Sequence, residues 1–376
     1  MVLAGLLLTL VAGACGGGTR PLSTLVFIAR HNGDYEIHLP KTTAGRLSSL
    51  QSVLPWDASP VWSPDGKKIA FYSDRTFNLP DRDDNVDIYV TNADGSGLTR
   101  LTDDPRPDAF PVWSPDGKRI AFYSQRGGDG NIYVMNWDGS GLTRLTNDAA
   151  LDIPYGWSPD GGFVTFGSNR GGDIDLYVMR ADGSDVRRLA HGIGDSFHAV
   201  WSPDGSRIAF EANKEGNSDV YFVNADGSDL VNMSVHPLRD ALPVWSPDGV
   251  HVAFVSERSG NPEIYVMDTV YSFLTGVTNS PREDTLPAWS PDGTRIAFVS
   301  SRDLNPEIYV ANADGTGQTR LTNDPGWDIA PAWSPDGSRI AFASFRGDRR
   351  DVYLVNADGS GLVRLTNDVN VAWAGR

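Results

Sequence analysis

The phrase Trp-Ser-Pro-Asp-Gly occurs seven times in this chain, at Trp62, Trp113, Trp157, Trp201, Trp245, Trp289 and Trp333. The first interval is 51 residues and each later one is 44. A fixed period of about 40 to 50 residues describes stacked supersecondary units rather than one mixed core. Such an array grows by repetition, because each unit packs only on its neighbours. It presents a surface made of many loops rather than a single cleft.

One unit runs from Trp113 to Asp148. Pro111-Val112-Trp113 is short and apolar. Ser114-Pro115-Asp116-Gly117 then predicts a tight turn, since proline presets the entry and glycine accepts a positive φ. Arg119 to Ser124 and Asn131 to Met135 read as two nearly all-apolar strands, the pattern of strands covered on both faces. Between them lies a Gly-rich loop. Asp138-Gly139 marks a second tight turn, and Leu142 to Thr146 alternates like an outer strand. No window carries a 3.6-residue apolar period, which excludes a helical solenoid. Four short antiparallel strands per unit make a propeller blade.

The Ile-Ala-Phe strand has eight copies, beginning at Leu25, Ile69, Ile120, Phe163, Ile208, Val252, Ile296 and Ile340. The copy at Leu25 lacks a first strand, and the tail from Asp368 to Trp373 is spaced like Asp108 to Trp113. A strand lent by the far terminus would close the ring and leave no free sheet edge. Eight units of 44 residues also account for the 352 residues beyond position 24. The expectation is an all-β, eight-bladed β-propeller over 25–376, closed by its N- and C-terminal strands. Seven blades with a loose N-terminal arm is the alternative.

The repeat reads Asp-x-x-Pro-x-Trp-Ser-Pro-Asp-Gly-x-x-Ile-Ala-Phe-x-Ser-x-Arg, then Ile-Tyr-Val-x-Asn-Ala-Asp-Gly, then Leu-Thr-Arg-Leu-Thr-Asn-Asp. It resembles the WD-like repeats of the TolB-type propeller family, over nearly everything after residue 24. The resemblance implies a bacterial envelope protein that binds other proteins. Similar propellers also accompany serine peptidases as gating domains, and some form polysaccharide lyases. A propeller hosts many unrelated activities, so function has to be argued from the site.

The net charge of −16 argues against nucleic acid and anionic membrane surfaces as partners, since both attract a basic face. Residues 1–14 are apolar and uncharged, shorter than the roughly 20 residues of a spanning helix, and read as a signal-peptide core. Val11-Ala12-Gly13-Ala14-Cys15 resembles the bacterial lipoprotein signal, which implies lipid modification of Cys15. It is the one cysteine of the chain, so no intramolecular disulfide forms. Residues 15–24 read as a tether.

Repeats supply an internal control, because a residue present in every blade is architectural and a singular one carries specificity. Asp57, Asp108, Asp152, Asp240, Asp284, Asp328 and Asp368 form an acidic column five residues before a tryptophan, broken in one blade where Asp195 is shifted by one. Arg30, Arg75, Arg126, Arg170, Lys214, Arg258, Arg302 and Arg346 are its expected partners, because unpaired carboxylates converging on one face would repel. Trp62, Trp113, Trp157, Trp201, Trp245, Trp289, Trp333 and Trp373 are expected to pack between blades.

The singular positions flank the acidic column near the pore. Trp56, Phe110, Phe197, His198, Leu242, Leu286 and Trp327 are candidate binding residues there. The extra loop after Arg75 adds Phe77 and Leu79 beside Asp81, Asp83 and Asp84. Exposed aromatics among acids suit a protein or peptide site. On the opposite face Val270-Tyr271-Ser272-Phe273 replaces an Asp-Gly turn, and the expectation is a rebuilt turn with its apolar groups tucked in. The six histidines show no metal-ligand spacing, and there is no Gly-x-Ser-x-Gly elbow. His198 is the best single catalytic candidate. The chain is therefore read as a monomeric, non-enzymatic, lipid-anchored propeller of the bacterial envelope or periplasm, without cofactor or metal. It would bind an envelope protein or peptide through its pore-face loops. A carbohydrate-binding or polysaccharide-lyase propeller is the alternative.

Overall fold

A computed structural model describes residues 57–73, 86–346 and 349–366, and the strands Gly5–Leu6, Phe27–His31, Asp34–His38 and Ala372–Trp373. The chain divides into two compact units, residues 1–53 and 54–376. In the first, Gly5–Leu6, Phe27–His31 and Asp34–His38 form a three-stranded antiparallel sheet.

The second unit is a propeller of seven blades. Each is an antiparallel sheet of four strands in chain order, inner to outer. Blade 2, for example, consists of Asp108–Trp113, Arg119–Ser124, Asn131–Asn136 and Thr143–Arg144. Blades 1 to 7 are numbered here by their inner-strand tryptophans, from Trp62 to Trp333.

The repeated phrase builds the turn below the inner strand. In blade 2 the Ser114 hydroxyl donates to Asp116 Oδ1 at 2.7 Å and accepts the Arg119 amide at 2.9 Å. Gly117 has φ 67°, a conformation that glycine adopts without a steric penalty. The Phe71, Phe122, Phe166, Phe210, Phe254, Phe298 and Phe342 side chains, one per blade, are fully buried. Burying each stabilises the fold by about 2–3 kcal/mol.

Eight blades are ruled out by the way the ring closes. Blade 7 packs directly on blade 1: Ala341, Val352, Leu354 and Leu365 share a core cluster with Ile69, Phe71, Tyr89 and Leu98. The Trp62 indole N–H donates to the Ala332 carbonyl at 3.0 Å. The eighth Ile-Ala-Phe copy is the Phe27–His31 strand of the other unit. The tail does not pair with it either. Ala372–Trp373 adds in parallel to the outermost strand of blade 1, Thr99–Arg100, making a five-stranded sheet. The Phe27–His31 copy is the middle strand of the three-stranded sheet, between Gly5–Leu6 and Asp34–His38, and so carries no four-stranded blade.

Strand register makes one further correction. Trp157 pairs with Val164, as Trp113 pairs with Ile120. Val164 therefore holds the apolar column position, and Phe163 stands one place earlier, where blade 2 has Arg119.

Candidate binding face around the pore

The inner strands of six blades are bulged three residues before the tryptophan. Ser59, Phe110, His198, Leu242, Leu286 and Ala330 occupy that position with φ between 50° and 55°. Non-glycine residues rarely adopt this region, and a bulge re-aims its side chain. All six are half-buried on the inner strands. In blade 3 the position is Pro154, whose ring forbids a positive φ. The register shift there moves to Tyr155.

That displacement breaks a ring of hydrogen bonds. The Trp113, Trp157, Trp245, Trp289 and Trp333 indoles each donate to the carbonyl before the preceding blade's tryptophan, at 3.1–3.2 Å. Trp62 does the same across the closure. Trp201 has no acceptor; the corresponding Gly156 carbonyl, beside the displaced bulge, accepts the Thr165 hydroxyl at 3.1 Å instead.

The acidic column is a set of buried pins. The Arg126 guanidinium donates to Asp108 at 2.6 Å and to Ser124 at 2.9 Å. It also stacks 5.1 Å from the Tyr133 ring. Arg170, Arg258 and Arg302 hold Asp152, Asp240 and Asp284 at 2.9, 3.0 and 2.8 Å. Arg346 lies 3.5 Å from Asp328. Burial pushes Asp108 and Asp328 up to about 6 against the pull of their arginines. These carboxylates are committed within their blades. The backbone of Asp57 pairs with Ser73, while Trp56, Phe77, Leu79, the acidic run at 81–84, Asp368 and Cys15 lie outside the described residues.

Blade 4 abandons the pin. Ser196, Ala212 and Lys214 stand where blade 2 has Asp108, Ser124 and Arg126, and the displaced Asp195 accepts the Ile174 amide at 2.8 Å. Glu211 substitutes for it. The corresponding positions in the other blades are Tyr72, Tyr123, Gly167, Val255, Val299 and Ala343. Glu211 is fully buried and lies 3.1 Å from His198 Nδ1. It accepts Arg239 Nη2 at 3.3 Å and the Leu242 amide at 3.4 Å. Burial alone would raise this carboxyl. The His198 hydrogen bond and the Arg239 charge outweigh it and bring it down to about 2. An anionic Glu211 accepts the Nδ1–H of His198 and orients the ring, with Nε2 on the far side. That nitrogen is buried without a partner.

The expected binding residues therefore separate. Phe110, His198, Leu242 and Leu286 share the bulge column. Phe110 lies edge-on to Tyr72 and Tyr123, with centroids at 5.7 and 6.3 Å. Trp327 is half-buried, 6.2 Å from Phe345. Phe197 is buried and belongs to the core. Glu211 and Arg239 were missed. Their signal was available in the repeat alignment, since Glu211 is the one acid in its column.

On the opposite face the Val270–Phe273 turn is not tucked in. Tyr271 and Phe273 are each 72% exposed. Asp268 Oδ1 accepts the amides of Val270 and Tyr271, both at 2.8 Å, and so rebuilds the turn without a glycine. Among the described residues no group of three His, Cys, Asp or Glu side chains is placed to hold a metal ion.

Fold and inner-strand geometry define a closed seven-bladed β-propeller with a variable ring at its pore. Residues 76–141, 111–199, 193–280 and 274–374 match the TolB beta propeller domain, and the chain belongs to that family. An uncharacterized peptidase, YuxL, of Bacillus subtilis is 37% identical over 73 residues, 18% of this chain and 10% of that protein. The chain thus matches only a tenth of that peptidase's length. A putative TolB from Agrobacterium tumefaciens is 26% identical, with a TM-score of 0.51, over 60% of this chain and 84% of that one. An oligogalacturonate lyase from Vibrio parahaemolyticus is 16% identical, with a TM-score of 0.63, over 94% and 96% of the two chains. At that identity the likeness concerns fold alone.

Proposed function

We propose that this protein is a non-enzymatic, lipid-anchored envelope propeller that binds a protein or peptide across its pore mouth. The observation that carries the reading is the bulge column. Six blades hold the same left-handed backbone there, yet the side chains are Ser, Phe, His, Leu, Leu and Ala. A shared geometry with changing side chains is what a recognition surface needs. Phe110, Leu242 and Leu286 supply the apolar anchors, which in protein interfaces carry much of the binding energy. The Cys15 signal supports an extracytoplasmic address, and the acidic balance suits a basic partner.

The test uses asparagine, which tolerates positive φ. A Phe110→Asn, Leu242→Asn, Leu286→Asn variant is expected to keep its unfolding midpoint within a few degrees. It should lose the protein band captured from envelope extract by the parent chain. Undiminished capture by a folded triple variant would remove the pore face from the proposal.

The His198–Glu211–Arg239 cluster favours a second reading, a carbohydrate-active propeller. A carboxylate-oriented histidine beside an arginine suits proton abstraction next to a uronate carboxylate. Turnover of a uronate polysaccharide that disappears in His198→Asn would support it, and silence of the parent chain would reject it.

A further inference from the structure

We propose that the cleft between blades 3 and 4, on the turn face opposite the pore loops, binds an arginine side chain of a partner protein. This goes beyond the pore-face reading and stands on different residues.

The seven interblade clefts serve as one another's controls. The position to compare is the first residue of the second strand. That residue is Lys68, Arg119, Arg207, His251, Arg295 or Arg339 in six of them. Lys68 lies over the turn residue Trp137 at 4.5 Å and His251 beside Trp289 at 6.5 Å. Four arginines lie over the facing indole: Arg119 over Trp157 at 4.6 Å, Arg207 over Trp245 at 5.2 Å, Arg295 over Trp333 at 4.8 Å and Arg339 over Trp62 at 5.8 Å. Two also donate to a turn carbonyl of that blade, Arg119 to Ala181 at 3.4 Å and Arg339 to Ala93 at 3.2 Å. Each such cleft contains its own guanidinium site, already filled.

In blade 3 the residue is Phe163, which brings no charge to the facing Trp201. A cleft of about 300 Å³ remains, lined by Phe163, Trp201, Asp160, Asp204, Asp226 and Ala225 among others. Ala225 corresponds to Ala93 and Ala181, so the carbonyl acceptor of the pattern is retained. Hydrogen bonds from Ser202 and the Ser206 amide bring Asp204 down to about 2, so it is ionised. Those from Ser228 hold Asp226 below its ordinary value. Arg187 also lines the cleft, but it lies over Phe163 at 5.8 Å and pairs with Asp185 at 3.6 Å. Arg180 lies over the same ring at 5.7 Å and also pairs with Asp185, at 3.7 Å. Among the lining residues three carboxylates stand against the one guanidinium of Arg187. An indole face, a turn carbonyl and an acidic rim are the recognition elements of a guanidinium group.

The probe is a capped Gly-Gly-Arg-Gly-Gly peptide, with citrulline replacing arginine as the uncharged control. Tryptophan is replaced by 5-fluorotryptophan and the Trp201 resonance is assigned by its loss in Trp201→Phe. Millimolar arginine peptide should shift the Trp201 fluorine signal ahead of the other tryptophans, and the citrulline peptide should bind at least about tenfold more weakly. Phe163→Arg, which installs the residue other blades carry, should fold and abolish the shift. Asp226→Asn should weaken it several-fold without altering the cleft. The pore-face triple variant should respond like the parent. An unmoved Trp201 signal, a uniform shift of all tryptophans, or an undiminished shift in folded Phe163→Arg would each overturn the proposal.

Discussion

At the residue scale, the molecule is governed by what a single position forces on its neighbours. Pro154 illustrates this. Its fixed φ excludes the left-handed bulge, the bulge moves by one residue, and the Gly156 carbonyl is taken by Thr165. The indole of Trp201 is left without the partner its equivalents have. This gives a paired prediction. Trp245→Phe removes both bulk and the 3.2 Å bond to Val200, whereas Trp201→Phe removes bulk alone. Urea unfolding should find Trp245→Phe the more destabilising by about 1 kcal/mol, the net worth of a buried hydrogen bond. Equal losses would show that the indole ring contributes packing only. The tryptophans, the turn serines and glycines and His198 were legible in the sequence because each stands out by type or by recurrence. Glu211 was readable as the one acid in its column, but its partnership with Arg239 spans two blades and appears only once register is known. The misplacement of Phe163 has the same origin. A one-residue slip in reading a strand exchanges its two faces, here hiding the single blade with no Lys, Arg or His at the first position of its second strand.

At the element scale, each blade is held by carboxylates buried inside it. Besides the inner pins, Arg100 meets Asp87 at 2.6 Å and Arg364 meets Asp351 at 2.9 Å between the third and fourth strands. Burial raises Asp87 to about 7, with Arg100 opposing it, and raises Asp108 and Asp328 to about 6. Glu263, next to Asp284, is raised to about 7, first by burial. Unfolded carboxyls titrate near about 4. Between about pH 4 and 7 the folded chain therefore binds more protons than the unfolded one, and stability falls as pH rises through that window. Glu211 has the opposite sign: held at about 2, its contribution is present above its unfolded value and is lost as pH falls towards 2. Calorimetry should find the unfolding midpoint higher near pH 5 than near pH 7.5, and falling again in stronger acid. A midpoint that climbs steadily from pH 5 to 7.5 would mean that the arginines dominate burial. The four-strand blade itself was legible, since turn chemistry and apolar runs agree at every boundary. Charge pairing between adjacent strands was legible only for the inner column, where one residue type recurs.

At the scale of the whole molecule, the question is what holds the ring shut. Every junction but one is bridged by the chain passing from an outer strand to the next inner strand. The junction of blades 7 and 1 relies on side chains, on the Trp62 bond and on the tail. The blade count went wrong here for a physical reason: counting Ile-Ala-Phe segments assumes that each belongs to a four-stranded blade, and the Phe27–His31 copy is instead the middle of a three-stranded sheet. The tail found another edge. After the outer strand of blade 7, Val363–Arg364, the chain reaches Ala372–Trp373, which lies in parallel on Thr99–Arg100 of blade 1. The tail thus spans the one seam that no interblade connection crosses, and it covers an exposed sheet edge. Removing residues 367–376 leaves all seven blades their four strands but unties that seam. The expected loss is about 1–2 kcal/mol, the worth of one or two edge hydrogen bonds. Hydrogen exchange should locate it, with faster exchange in blades 1 and 7 and little change in blades 3 to 5, since local opening follows the weakest junction. Uniform acceleration around the ring would instead mean that closure is shared equally by all seven junctions, and the tail would then be an ornament of blade 1 rather than its clasp.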